Sequence, residues 1–362
     1  MSEVGGFDVG RLGAWLARTC GLGPEVEVAP VSGGRSNLTS VVTDAAGRRV
    51  VVRRPPLSGV LASAHDVVRE GRIMAALART AVPVPDVLAV AGEEDGPGTA
   101  VLVTAFVEGT VVRDRAIAAE LDPSARRRLV DGVATTLATL HAVDVDAVGL
   151  GDLARRGGYL ARQVARWTRQ LERGSDREVP ALTELARVLA TSIPEETVAL
   201  VHGDYRLDNL IVDVASGEVR AVLDWELSTL GDPLADLGTL VAYWGVPAAG
   251  GRPAAVVHPE LPTVVEGFAG PAELVAVYAA SAGLDPARVA EELRPFLAFA
   301  WFRIACILEG VRVRTTSGAY GDVADQARAE LELFARIVPL LAERALTVAR
   351  GRGPVGFDHE LT

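Results

Sequence analysis

LVHGDYRLDNLIVDVASGEVRAVLDWELSTLGDPLADLG, residues 200–238, gathers three polar side chains with oxygen ligands into a short span. Asp204 stands in His202-Gly203-Asp204, Asn209 follows five positions later, and Asp224 comes after a predicted hairpin. In that hairpin Asn209–Asp213 reads as a short apolar strand, Ala215–Glu218 as a turn and Val219–Leu223 as the return strand. Asn209 and Asp224 therefore fall at the same end of it, where one ion would bridge them. Carboxylate and amide oxygens are hard ligands of the kind magnesium prefers. Asp204 is suited to accept the proton of an attacking hydroxyl. A phosphoryl group in transfer spreads negative charge over its oxygens, so a protein that promotes the transfer mainly positions and neutralises. Any one of these residues alone fits a solvated acidic loop before an ordinary hairpin. Together they point to phosphoryl transfer from a nucleoside triphosphate.

The spacing of His202, Asp204 and Asn209, with a separate Asp224 after the next strand pair, has the skeleton of the protein-kinase catalytic loop. His202-Gly203-Asp204, Asn209, Asp224-Trp225-Glu226 and the run from Gly231 to Leu237 resemble the aminoglycoside phosphotransferase and choline kinase group. These are small-molecule kinases that share the protein-kinase core, and the resemblance covers nearly the whole chain. It implies an α+β, two-lobed protein-kinase-like fold. A small antiparallel-sheet lobe over residues 1–104 would grip the nucleotide. A larger, mostly helical lobe over residues 105–362 would carry the catalytic loop, the metal site and the acceptor site. Asp204 is then the expected base, Asn209 and Asp224 the metal ligands, and His202 a brace for the loop. Arg206 is expected to neutralise Asp204 or the moving phosphoryl. Asp232 and Asp236 are expected to fix loop and helix geometry.

The chain contains no lysine; all 36 of its basic residues are arginine. A kinase of this fold normally holds the α- and β-phosphates with a strand lysine. Three strands are predicted at Val26–Val31, Leu38–Thr43 and Arg49–Arg54, after an amphipathic helix from Asp8 to Cys20. Arg53, on the third strand, takes the expected lysine position; its planar fork binds phosphate well but is bulkier. Ser63 with Asp66 gives a capping-box signal for a helix over residues 64–79, on which Glu70 is the candidate partner of Arg53. The turn with Gly33, Gly34 and Ser36 offers backbone amides to phosphates. Thr104, Phe106 and Val107 form the expected hinge, where backbone groups would read the base of ATP or GTP.

A chain of 362 residues can bury a sizeable core, and its net charge of −11 argues against a general nucleic-acid surface. No apolar run reaches membrane-spanning length, and the N-terminus lacks the pattern of a signal peptide, so a cytoplasmic location is expected. Cys20 and Cys306 lie far apart in helix-like surroundings and read as buried thiols.

Beyond the hinge, helices are predicted from Pro123 to His141, from Ala272 to Ala282, from Asp285 to Val313 and from Asp322 to Arg350. The Pro- and Gly-rich connection from Trp244 to Gly270 is long enough to cover an acceptor site. Arg155, Arg162, Arg166, Arg169 and Arg173 share one helical stripe, a basic island in an acidic protein beside Tyr159, Gln163, Trp167 and Gln170. A salt-bridged solvent face and a surface for an anionic acceptor both fit that stripe. The pattern around it, with Phe302-Arg303-Ile304-Ala305, resembles phosphotransferase domains fused to acyl-CoA dehydrogenases. That likeness implies a hydroxyacyl-CoA acceptor and makes Arg162, Arg166 and Arg303 candidate acceptor-side residues. Two function classes follow. The first is an ATP- and magnesium-dependent kinase acting on a small-molecule hydroxyl, with an aminoglycoside or amino alcohol as the alternative acceptor. The second, favoured by the missing lysine, is a silent kinase-like module that binds nucleotide or acyl-CoA. The residues leave the oligomeric state open.

Overall fold

The computed structural model describes residues 3–31, 37–56, 66–244, 261–316 and 325–352. A small hairpin, β1 (Glu3–Val4) and β2 (Phe7–Asp8), leads into α1 (Val9–Thr19), whose N-terminus is capped by the Asp8 carboxylate accepting from the Arg11 amide at 3.0 Å. Leu12, Trp15 and Leu16 recur at helical spacing and are buried against the sheet that follows. That sheet holds β3 (Val26–Pro30), β4 (Leu38–Asp44), β5 (Arg49–Arg54), β6 (Val87–Ala91) and β7 (Val101–Ala105). The strand order is β3-β4-β5-β7-β6, antiparallel throughout.

Between β5 and β6 the chain forms α2 (Val67–Leu77), which packs on β6 and β7 through a face that includes Ile73, Met74 and Leu77. This helix starts later than residue 64. Asp66 is itself the cap, its carboxylate accepting from the Val68 and Arg69 amides at 3.0 and 2.9 Å. Ser63 lies outside the described residues, as do Gly33, Gly34 and Ser36.

The second half is mostly helical: α3 (Arg115–Glu120), α4 (Pro123–His141), α5 (Tyr159–Gly174) and α6 (Pro180–Thr191) precede four short strands. These are β8 (Ala199–Val201), β9 (Leu210–Val212), β10 (Val219–Val222) and β11 (Thr229–Gly231), followed by α7 (Pro233–Ala242). β9 and β10 form the hairpin read from the sequence, and β8 pairs with β11. Then come α8 (Pro271–Ser281), α9 (Pro286–Glu292), α10 (Arg294–Thr316) and α11 (Asp325–Ala349). The single helix expected from Asp285 to Val313 is two, because the chain turns at Leu293 between α9 and α10. α10 is apolar on nearly every face and packs on α5, α7 and α11, the position of a core helix. Of the connection after Trp244, residues 245–260 lie outside the described residues; Pro262, Thr263 and Val264 are buried in a single helical turn.

One buried charge cluster ties the helices together. The Glu309 carboxylate on α10 accepts from Arg177 at 2.8 and 3.1 Å, from Arg312 at 2.7 Å and from the Ser175 hydroxyl at 3.0 Å. Burial opposes its ionisation, but these donors outweigh burial and hold the carboxyl down at about 2. Cys306 is buried in the same helix; Cys20 is only half-buried at the end of α1, since the helix terminates there and exposes one side. Neither is in a disulfide.

Candidate active site

β8 ends at Val201 and delivers His202-Gly203-Asp204 into a tight loop. Gly203 has φ +85, and a Cβ there would lie 2.7 Å from the Leu227 carbonyl oxygen, so the backbone turns where only glycine fits easily. The Asp236 carboxylate, fully buried on α7, accepts from the His202 and Gly203 amides at 2.5 and 2.8 Å. His202 accepts the Asp204 amide at Nδ1 (3.2 Å), so Nε2 carries the proton and donates to the Leu223 carbonyl at 2.8 Å. The imidazole thus joins the loop to the end of β10, one residue before Asp224. Asp232 caps α7 by accepting from the Leu234 amide at 2.8 Å.

Around Asp204 the polar groups converge. Its Oδ2 accepts from Arg206 Nε and Asn209 Nδ2, both at 3.2 Å, while Arg303 Nη2 lies 3.5 Å from Oδ1. Burial disfavours the Asp204 carboxylate, yet Arg206 and Arg303 outweigh it and hold the group below the usual carboxylate range. It is therefore an ionised acceptor at neutral pH. Asn209 spends its Nδ2 on the Asp204 side chain and, at 2.8 Å, on the Asp204 carbonyl. Its amide oxygen is the atom left to ligate a cation. The Leu223 amide donates to the Asn209 carbonyl at 2.8 Å, and Leu210 pairs with Val222. This register puts Asn209 and Asp224 at one end of the hairpin. Asp224 adopts φ +65, the one non-glycine residue in the left-handed region among the described residues.

From the sheet side, Arg53 reaches the same point. Its Nη1 donates to Glu70 on α2 at 2.6 Å and its Nη2 to Asp224 at 2.8 Å. Burial, with the charges of Asp224 and Glu226 beside it, holds the Glu70 carboxyl above its ordinary range despite Arg53. Thr104 is buried in β7, and the Phe106 ring lies 3.9 Å under the Arg49 guanidinium. Just beyond, Thr110 exchanges two backbone hydrogen bonds of 2.9 Å with Val212 of β9. The chain leaving the Thr104–Val107 segment is thereby joined to the β9–β10 hairpin.

A donor set of one carboxylate and one amide oxygen at one hairpin end suits a hard divalent cation with its remaining positions on water or phosphate. The Arg53 ion pair already neutralises the carboxylate of that set, so a cation binding there competes with a guanidinium for Asp224.

The acceptor-side expectations divide. Arg303 sits under the catalytic loop, donating to the Gly203 carbonyl at 2.6 Å. Arg162 and Arg166 are exposed on α5, and among the described residues neither touches Asp204. Three further residues at the site carried no local signal. Arg69, beside Glu70 on α2, donates to the Glu226 carbonyl at 3.4 Å and to the Ser228 carbonyl. Tyr243, at the end of α7, lies 5.0 Å from the Arg206 guanidinium, and Asp208 accepts from Arg206 at 2.6 Å. All three are brought in by packing between elements, which spacing along the chain does not encode.

Residues 27–291 match the phosphotransferase enzyme family, and the chain belongs to it. It is 35% identical over 322 residues to acyl-CoA dehydrogenase family member 10 of Mus musculus, covering 87% of this chain and 29% of that protein. The chain spans less than half the length of the curated relatives it matches, between 29% and 44%. Among solved structures, a candidate aminoglycoside phosphotransferase from Ralstonia eutropha JMP134 superposes with a TM-score of 0.74 at 31% identity, covering 96% of this chain and 99% of that one. A thermostable aminoglycoside phosphotransferase mutant, solved with AMP-PNP and hygromycin B, gives a TM-score of 0.56 at 17% identity, covering 93% and 97%. The fold is that of the kinase-like aminoglycoside phosphotransferases, and the chain is a small-molecule phosphotransferase by family.

Proposed function

We propose that this protein transfers the terminal phosphoryl group of ATP to a hydroxyl of a hydroxyacyl-CoA or a related hydroxy acid. The convergence of Asn209 on Asp204, with Asp224 at the same hairpin end and Arg53 over it, carries the reading. Residues 1–104 would grip the nucleotide and residues 105–362 would carry the chemistry. In this mechanism Asp204 accepts the proton of the acceptor hydroxyl as its oxygen bonds to the γ-phosphorus. The bond from that phosphorus to the β-phosphate oxygen breaks, and ADP leaves with the electron pair. Arg206 and Arg303 keep Asp204 ionised and oriented, and His202 braces the loop. Arg53, fixed by Glu70, offers its guanidinium to the phosphates. Asn209 and Asp224 would hold magnesium, which supplies charge neutralisation at the β- and γ-phosphates.

The acceptor class rests on the relatives named for acyl-CoA dehydrogenases and on the arginine-rich α5, which suits an anion better than a polycationic aminoglycoside. One observation favours the silent module: Arg53 is locked onto the Asp224 carboxylate. Incubation with ATP, magnesium and pooled hydroxyacyl-CoA thioesters, hydroxy acids, aminoglycosides and amino alcohols separates the readings. Mass spectrometry is expected to find a hydroxyacyl-CoA gaining one phosphoryl group, lost in Asp204→Asn while nucleotide affinity stays nearly intact. Transfer to an aminoglycoside alone overturns the acceptor class. Tight nucleotide binding without transfer to any acceptor establishes the silent module.

A further inference from the structure

Arg162, Arg166, Arg169 and Arg173 of α5 are all exposed and, at steps of four, three and four residues, share one strip of helix surface. Arg162 donates only to the carbonyls of Gly157 and Arg155, and Arg166 lies 5.9 Å from the Trp167 ring. Among the described residues no carboxylate pairs with any of the four. The chain has 47 acidic residues against 36 basic ones, and some exposed arginines pair, Arg72 with Asp152, Arg187 with Glu184 and Arg288 with Glu292. Others such as Arg79 and Arg115 have no carboxylate partner among the described residues, but they stand singly, whereas the four on α5 share one face. Like charges at such spacing repel by roughly 0.2–0.5 kcal/mol per pair, so an uncompensated row costs stability unless an anion sits on it.

α5 starts against the β8–β11 pair that leads into the catalytic loop. Tyr159, the first residue of α5, has its ring under Gly231 of β11, where an added Cβ would lie 2.9 Å from it. Burial pushes the Tyr159 hydroxyl up to about 12, with Asp236 and Glu196 adding to the rise and Arg303 and Arg166 opposing it. From Arg162 to Arg173 the row then runs outward by about 16 Å, at ~1.5 Å per residue. Arg169, with Glu172 and Arg187, also rims a cleft of about 480 Å³ between α5 and α6, whose apolar lining includes Val164, Leu171 and Ile193 among alanines. A line of cations beside a bed of apolar side chains complements a molecule that carries phosphates on an uncharged arm. A nucleic acid would need a far wider basic surface than four residues in a protein of net charge −11.

We propose that the arginine row of α5 with its cleft is the docking surface for the phosphates and pantetheine arm of a coenzyme A-linked acceptor. This rests on the reading of the site as a hydroxyacyl-CoA kinase but is tested apart from it. Coenzyme A itself is titrated by calorimetry into the full chain at low salt. Arg166→Glu with Arg169→Glu is expected to raise its Kd at least tenfold, while Arg166→Lys with Arg169→Lys stays within threefold. Arg169→Gln with Arg173→Gln, free of charge reversal, moves the same way if the glutamate pair disturbs folding. Removing the 3′-phosphate from the ligand weakens binding to the unaltered protein more than to the glutamate pair. Equal affinity of the unaltered and glutamate proteins, or no binding of coenzyme A at all, overturns the proposal whatever the transfer assay shows. Capture by phosphatidylserine vesicles that coenzyme A does not disturb overturns it in favour of a membrane surface. Failure of the kinase reading shows separately, as hydroxyacyl-CoA left unphosphorylated by a protein that binds coenzyme A through this row.

Discussion

Arg53 does two jobs that a lysine would not combine. Its fork reaches Glu70 and Asp224 at once, whereas an ammonium is a point charge on a flexible stem. Replacing it by alanine leaves the buried Glu70 without its cation and removes the group proposed to bind the phosphates. We expect kcat/KM for ATP to fall at least tenfold, roughly 1.4 kcal/mol; an unchanged value would mean the phosphates are held elsewhere. Gly203 is a second position where one residue decides. Alanine there must adopt φ +85 and push on the Leu227 carbonyl, costing about 1–3 kcal/mol, which urea unfolding would measure. Stability within experimental error of the unaltered protein would show that the loop relaxes. The residues that touch at Asp204 were legible in the sequence because their spacing is itself the signal. Arg303 was legible only as a cation near the site. Its position beneath the loop depends on how α10 crosses α7, and no local pattern reports that crossing.

Helices and strands followed the sequence closely where apolar periodicity and caps agreed, as in α1, α4 and the β9–β10 hairpin. They departed where two signals merged. The apolar run from Asp285 to Val313 hides the turn at Leu293, since the residues on either side are all compatible with a helix. The Glu309 cluster was invisible for another reason: Arg312 is a local neighbour on α10, but Ser175 and Arg177 reach it from a distant part of the chain. Its titration has a definite sign. The folded Glu309 carboxyl is held near 2, below the ordinary 4.5, so its contribution is fully present above about pH 4.5 and fades as pH falls toward 2. Glu309→Gln should therefore flatten the acid limb of the stability curve over that window. Near pH 7 it should lose about 3 kcal/mol, because Arg177 loses its carboxylate partner and Arg312 keeps only Asp176. An acid limb as steep as that of the unaltered protein would place the pH dependence elsewhere.

At the scale of the molecule, the polar points where the sheet side and the helical side meet include Arg53 on Asp224, Arg69 on the Glu226 and Ser228 carbonyls, Asn37 Nδ2 at 3.4 Å from Glu226, and Arg72 on Asp152. A nucleotide bound across that junction should stabilise the fold by about 2.7 kcal/mol at a hundredfold excess over Kd. Thermal unfolding with ATP and magnesium should show the shift, and Asp224→Asn should lose the part that EDTA removes from the unaltered protein. No shift in either protein would argue that ATP does not bind at this junction. The paired backbone bonds between Thr110 and Val212 bear on how such a junction opens. They rivet the far end of the β9–β10 ribbon to the strand leaving the sheet side, about 10 Å from Asn209 at ~3.3 Å per residue. Gly109, at φ +152 and pressed against Ile211, is the last joint before that rivet. The other end is tied as well, by the Val222 amide donating to the Pro83 carbonyl at 2.8 Å. With both ends of the ribbon held to the sheet side, a movement that keeps these bonds carries Asn209 and Asp224 along with it.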